Sequence, residues 1–379
     1  MVKVGKQIML VVGEASGDTL GAELVKALLK RDPTLRIFGV AGEHLQRTKF
    51  EALFSVSKLS GMGLIELVGN LRDIWRAYHL LKSTLRERKP DLLVLIDFPE
   101  FNLRLAKTAK SLGIPVLYYV SPQVWAWRRS RVRQIARRVD QMAVIFPFEV
   151  PFYEAYGVKV VFVGHPLLEI VQAKEGRETA LARLGLDPNK PTVALLPGSR
   201  RQELLYHLPV LLEAAERLRQ EREVQFICVK AGTIDRAEIE EILRRGQLRI
   251  PIVEEHRYDA VNAADLVWTA SGTATLETAL LLKPMIIVYR VSWLTYCLAR
   301  LLVSVRHIGI VNIIAGEKIA PELVQSDLQP ERVVQESRSI LESRQIQEAI
   351  TNKLIRLKEN LGAPGASNRV ADIAVSMLG

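Results

Sequence analysis

The sequence predicts an α/β protein made of two doubly wound parallel-sheet domains. Short apolar runs of strand length alternate with longer stretches of helical period, and this alternation occurs in two series, one before residue 166 and one from residue 192. The length agrees, since 379 residues correspond to two domains at about 150 residues each.

In the first series the strands are expected at 7–13, 36–42, 91–97, 115–121, 141–147 and 158–164. The run at 7–13 follows two lysines and no small-residue cleavage site comes after it, so it reads as the start of the fold and not as a leader. A helix is expected over 18–30, where Leu20, Leu24, Ala27 and Leu28 share one face, and a long helix over 64–88. The pattern loosens after Pro166, and 171–190 is read as a linker between a domain over 1–170 and another over 191–360. The second series places strands at 192–198, 224–232, 250–255, 266–271 and 284–290. A charged helical stretch covers 330–360, the residues APGASN at 363–368 break it, and a last helix covers 369–378. That helix, within 361–379, is expected to pack back towards the first domain. Folds of this kind bind ligands at the carboxyl ends of their strands, so function is sought in the loops that follow them.

Composition excludes several classes. With 49% hydrophobic and 25% charged residues the chain is neither disordered nor fibrous. The longest uncharged stretch, 111–127, is interrupted by Pro115 and Pro122 and falls short of the ~20 apolar residues of a spanning helix. Cys228 and Cys297 form no CxxC pattern, and the six histidines show no HxxxH spacing. Neither a disulfide framework nor a zinc site is expected, and a reducing cytoplasm fits. The 52 Lys and Arg against 42 Asp and Glu leave a net charge of +10. Nucleic acid, an anionic membrane and phosphorylated substrates would each suit that surplus.

Four loops and one helix carry candidate chemistry. Gly13-Glu14-Ala15-Ser16-Gly17-Asp18 is either a tight strand-to-helix turn or a place where a ligand approaches backbone N–H groups, with Ser16 capping the helix. Asp97 ends a fully apolar strand, as a general base of raised pKa or as the cap of a helix starting near Phe101. Six arginines and no acid occupy 128–138, while Val132, Ile135, Ala136 and Val139 keep one face apolar. This basic amphipathic helix suits anionic headgroups or phosphate, or is simply a solvated face. Gly198-Ser199-Arg200 and Ser271-Gly272-Thr273-Ala274 are turns open to phosphate, with Glu277 one helical turn further on. His165 and Asn312 are polar residues in apolar surroundings, as structural groups or as ligand contacts. Aromatic residues are not interleaved through a broad basic surface, which argues against nucleic acid.

Together GEASGD at 13–18, MGLIEL at 62–67, IDFPEFN at 96–102, YVSPQVWAWR at 119–128, FVGHP at 162–166, LLPGSR at 195–200, ASGTATLE at 270–277 and VNIIAG at 311–316 resemble the lipid-A-disaccharide synthase family, in its order and over nearly the whole chain. The resemblance implies a GT-B glycosyltransferase with two Rossmann-like domains facing a central cleft. It implies a cytoplasmic enzyme, peripherally attached to the inner membrane. The implied reaction is inverting transfer of 2,3-diacylglucosamine from UDP-2,3-diacylglucosamine to the 6-hydroxyl of 2,3-diacylglucosamine 1-phosphate, with neither metal nor cofactor. Asp97 then matches the family's base, with Glu14 beside it in the catalytic set. Ser16, Gly17, Met62 and Arg128 fall on the acceptor side. Gly198, Ser199, Arg200, Ser271, Gly272, Thr273 and Ala274 fall on the diphosphate, Glu277 on the ribose and Asn312 near the donor.

Glu100 departs from the aspartate expected there. Several arginines within 104–138 are equal candidates for the acceptor phosphate. Stretches 62–68, 128–138 and 291–305 are candidate membrane contacts, the last with a buried helix as its alternative, and a homodimer is compatible with the sequence. The rival readings are a UDP-sugar epimerase of the same architecture and a non-catalytic basic protein binding a membrane surface or nucleic acid.

Overall fold

Aliphatic runs too short for a helix and bounded by turn residues form strands covered on both faces. The computed structural model describes residues 5–59, 64–122, 124, 131–293, 295–297 and 307–379. Two compact units result, one of residues 1–166 with 361–379, the other of residues 167–360.

The first unit holds a parallel sheet of β1 (Gln7–Val12), β2 (Arg36–Ala41), β3 (Phe50–Ser55), β4 (Leu92–Ile96), β5 (Val116–Tyr119), β6 (Gln141–Val144) and β7 (Val160–Phe162). Its order is β3-β2-β1-β4-β5-β6-β7, so the winding reverses between β1 and β4, where Val12 and Ile96 are register partners. Every residue of β4 and β5 is buried. The edge strand β3 was not expected from the sequence. Its residues FEALFS are only partly covered, and Glu51 interrupts the apolar run to pair with Arg88 at 2.7 Å.

Helix Ala366–Leu378 completes this unit, burying Val370, Ala371 and Ala374. Arg31 Nε donates to Asp372 Oδ1 at 2.6 Å, and Arg369 Nε donates to the Val163 carbonyl at 2.8 Å.

The second unit holds β8 (Thr192–Leu196), β9 (Gln225–Val229), β10 (Ile252–Val253), β11 (Leu266–Ala270), β12 (Met285–Tyr289) and β13 (Glu322–Val324). They are parallel in the order β10-β9-β8-β11-β12-β13, and the winding reverses between β8 and β11. β13 is a three-residue edge strand, too short to stand out as an apolar run. Trp268 of β11 is fully buried and donates its indole N–H to Ser337 Oγ at 2.9 Å.

The stretch 171–190, read from the sequence as a linker, contains helix Arg177–Arg183 and lies within the second unit. Arg177 Nη2 pairs there with Asp265 Oδ2 at 3.0 Å. The single helical stretch expected over 330–360 is two helices, Pro330–Glu342 and Arg344–Asn360, separated where Ser343 turns extended.

Candidate active site

In the first unit the loops after β1 and β4 meet at the reversal of winding, where an open α/β sheet binds its ligands. Gly13 makes the meeting close: a Cβ there would lie 2.1 Å from Cγ of Phe98, so only glycine fits. Asp97 and Phe98 both adopt left-handed φ values of 48°, a conformation that costs a non-glycine residue free energy and persists only where its surroundings enforce it. Here they do. The Asp97 carbonyl accepts Tyr118 Oη–H at 2.5 Å and Asn102 Nδ2–H at 2.7 Å, and Asn102 is fully buried.

Helix Pro99–Ser111 starts at Pro99 with Phe98 as its N-cap and no side-chain cap bond. The Asp97 carboxylate is therefore not the helix cap. Burial raises its pKa to about 6, the negative charge of Glu14 adds to the rise, and the Phe98 N–H opposes it. A half-buried carboxyl poised near 6 is a serviceable general base at neutral pH.

Ser16 is exposed within the first turn of helix Ala15–Arg31, whose N-cap is Glu14 without a side-chain bond, so the expected Ser16 cap is absent. Gly17 is buried, where a Cβ would make ordinary contact with Val12 and Ile96 at 3.5 and 3.6 Å. Asp18 in the same motif is structural, accepting the N–H groups of Gly42 at 2.6 Å and His44 at 2.8 Å. Met62 and Arg128, expected on the acceptor side, lie outside the described residues.

The second unit repeats the device. The turns Gly198-Ser199-Arg200 and Ser271-Gly272 follow the adjacent strands β8 and β11. Helix Thr273–Leu280 begins at Gly272, whose φ is 153° and above which a Cβ would meet nothing within 4 Å. Gly272 and Thr273 are exposed, so N–H groups of this helix start are open to an anion. Ser271 is partly committed, its hydroxyl donating to the Ile308 carbonyl at 3.0 Å. Arg200 is exposed at the start of helix Arg201–Glu221 and reaches Glu203 Oε1 at 3.2 Å. Glu277 accepts from Arg257 Nη2 at 2.8 Å and from Tyr258 Oη at 2.9 Å.

Asn312, expected near the donor, serves the fold. It is fully buried, and its amide clamps a turn: Oδ1 accepts the N–H groups of Ile319 at 2.7 Å and Ala320 at 3.0 Å, while Nδ2 donates to the Ala320 carbonyl at 2.9 Å and Glu322 Oε1 at 2.8 Å. That uses two donors and two acceptor sites, the full capacity of an amide. His165 is likewise buried, its ring centroid 5.2 Å from that of Phe146, and burial lowers its pKa to about 4.

A family model described as lipid-A-disaccharide synthetase matches residues 8–374 of this chain. The lipid-A-disaccharide synthase of Geobacter metallireducens is 46% identical over 375 residues, covering 99% of this chain and 98% of that one. The enzyme of the same name from Nitrosococcus oceani is 45% identical over 372 residues, with 98% and 96% covered. The chain belongs to the lipid-A-disaccharide synthase family.

Membership makes it a glycosyltransferase, and solved structures agree on the GT-B fold. The calicheamicin glycosyltransferase has a TM-score of 0.63 at 15% identity, covering 99% of this chain and 98% of that one. The UDP-GlcNAc 2-epimerase from Neisseria meningitidis, solved bound to UDP-GlcNAc, has 0.59 at 12% identity, with 98% and 99% covered.

Two residues beside the Gly198-Ser199-Arg200 turn have roles that the sequence does not display. Glu203 Oε2 accepts the Ser199 N–H at 2.9 Å, so the chain's own carboxylate sits at the turn expected to take phosphate. Its signal was an acidic residue at the third position of a helix, which reads as a cap. His207 is buried and bridges two loops, Nδ1 to the Pro197 carbonyl at 2.7 Å and Nε2 accepting the Arg290 N–H at 2.9 Å. That pairing makes Nδ1 the protonated nitrogen and keeps the ring neutral, and burial lowers the pKa accordingly.

Among the described residues Glu175, His256 and Asp259 have the spacing of a metal site. Arg183 holds Glu175 at 2.6 Å, and the Lys174 and Glu175 N–H groups fill Asp259 Oδ1 at 2.5 and 2.9 Å. These ligand atoms are already in use by the fold.

Proposed function

We propose that the protein transfers 2,3-diacylglucosamine from UDP-2,3-diacylglucosamine to the 6-hydroxyl of 2,3-diacylglucosamine 1-phosphate, giving a β-1′,6 disaccharide phosphate and UDP. The observation that carries this reading is the Asp97 carboxyl, strained into place at the end of β4 and held near a pKa of 6. Ionised, it takes the proton from the acceptor hydroxyl as that oxygen attacks the anomeric carbon from the face opposite UDP. The glycosidic C–O bond to the diphosphate breaks, and its electron pair leaves on UDP. Glu14, at the end of the neighbouring strand, raises the basicity of Asp97 by its charge.

The departing diphosphate gains charge, which the open helix start at Gly272 and Thr273 and the Arg200 guanidinium suit. Glu277, fixed by Arg257 and Tyr258, is a rigid acceptor for ribose hydroxyls. Fold likeness to the epimerases does not favour epimerisation here, because the family match covers residues 8–374.

Acylated substrates require approach to a membrane, and no helix among the described residues is long and apolar enough to cross one. Peripheral attachment to the cytoplasmic face of the inner membrane is supported by two large exposed side chains. Trp75 is 62% exposed and Trp293 68% exposed.

Incubating the purified protein with donor and acceptor and analysing the products by mass spectrometry tests the proposal. UDP and a tetraacyl disaccharide phosphate are expected together. Consumption of UDP-sugar without acceptor, with no disaccharide, would identify an epimerase instead.

A further inference from the structure

The first unit contains a cavity of about 410 Å³ whose lining is strongly cationic. Helix Pro99–Ser111 contributes Glu100, Arg104 and Lys107, residues 131–138 contribute Arg131 and Arg138, and Tyr78 of helix Leu64–Arg88 borders it. The cations differ in what they are already doing. Arg131 is spent on Glu100, with contacts of 2.5 Å from Nη1 to Oε1 and 2.9 Å from Nη2 to Oε2. Arg138 Nη1 donates to the Leu103 carbonyl at 3.2 Å. Arg104 and Lys107 are exposed, and neither has an ion pair or a hydrogen bond among the described residues.

Two cations three residues apart, both unpaired among the described residues, lie on one face of a helix, and they project into a concavity of small-ligand size. Such an arrangement concentrates negative charge and lets a guanidinium and an ammonium share one phosphate.

We propose that this cavity seats the phosphomonoester of the acceptor, with Arg104 and Lys107 as its ligands. The proposal rests on the function given above and specifies where that reaction's phosphate sits. Position favours it. Pro99, which also lines the cavity, is the first residue of the helix, two residues after Asp97. Arg104 lies about 7–8 Å further along the axis. A sugar whose phosphate rests there can present the hydroxyl across its ring towards Asp97. Glu100 tempers the site by neutralising Arg131, so removing its charge releases a third cation.

An anionic lipid headgroup of the membrane carries the same chemistry, and the test separates the two sources. Wild type, the Arg104→Gln/Lys107→Gln double variant and Glu100→Gln are compared in steady-state assays of disaccharide formation. Calorimetric binding of glucosamine 1-phosphate and co-sedimentation with phosphatidylglycerol vesicles are measured alongside. In the double variant the acceptor KM is expected to rise at least tenfold, the UDP-donor KM to stay within twofold, calorimetric binding to be lost, and vesicle binding to persist. Glu100→Gln is expected to move the acceptor KM in the opposite direction, which a merely destabilised protein would not do.

An unchanged acceptor KM with retained glucosamine 1-phosphate binding overturns the proposal. So does a loss confined to vesicle binding, which would assign the cavity to the membrane surface. Failure of wild type to form any disaccharide would sink the proposed function. The calorimetric arm would then still decide whether the cavity takes a sugar phosphate.

Discussion

Glu14 and Asp97 follow paired strands whose last residues, Val12 and Ile96, are register partners, and after burial the charge of Glu14 is the main influence holding the Asp97 carboxyl up at about 6. A base must be ionised to accept a proton. The logarithm of kcat/KM is therefore expected to fall with unit slope below about pH 6. Replacing Glu14 by Gln removes the charge but not the burial. The acid limb of the profile should move to lower pH while staying above the ordinary carboxylate range, and a limb that does not move would contradict the electrostatic role of Glu14.

Glu203 holds the turn after β8, where its carboxylate accepts the Ser199 N–H, and on the proposed function it would compete there with the donor's phosphate. Glu203→Gln keeps an acceptor for that N–H and removes the negative charge. Calorimetry is expected to show UDP binding tightened by several-fold, since a charge near an anion site acts on the order of 1 kcal/mol at partial exposure. Weaker binding would mean that Glu203 supports the ligand instead of excluding it.

Asn312→Ala tests the clamp. The substitution leaves the Ile319 and Ala320 N–H groups without their buried acceptor, at a cost of about 3 kcal/mol. The urea midpoint should drop, while the folded variant should bind UDP with wild-type affinity. A selective loss of UDP affinity with the midpoint unchanged would restore Asn312 to the donor site.

Burial holds the His165 pKa at about 4 against an ordinary 6.5. The unfolded chain takes up the proton first as pH falls, so stability is unaffected above about 6.5, declines between 6.5 and 4, and flattens below. The full decline corresponds to about 3 kcal/mol. A series of urea midpoints from pH 7.5 to 4 should show it, and His165→Phe should remove that part of the slope.

The interior strands were legible because β4 and β5 are uninterrupted apolar runs and the runs of β8 and β11 are broken only by Thr192 and Thr269, as suits strands buried on both faces. The unread strands, β3 and β13, are edges, where half-exposure admits Glu51 or shortens the run to three residues. Asp97 stands out in the sequence for the same reason as its strand, being the first charge after five buried residues. Asn312 is ambiguous in the sequence because a polar residue inside IVNIIA is written identically whether its amide meets a ligand or a backbone turn. Only the positions of Ile319 and Ala320 distinguish the two. Glu203 stayed hidden because a carboxylate early in a helix is ordinary, and its meaning came from the turn it folds back on.

The most direct test of the account is Asp97→Asn, which keeps the size of the side chain and removes its basicity. Turnover with saturating donor and acceptor is measured beside the calorimetric dissociation constant for UDP. The account predicts a loss of roughly 10²–10⁴-fold in kcat with UDP affinity unchanged. Turnover within a few-fold of wild type would contradict it.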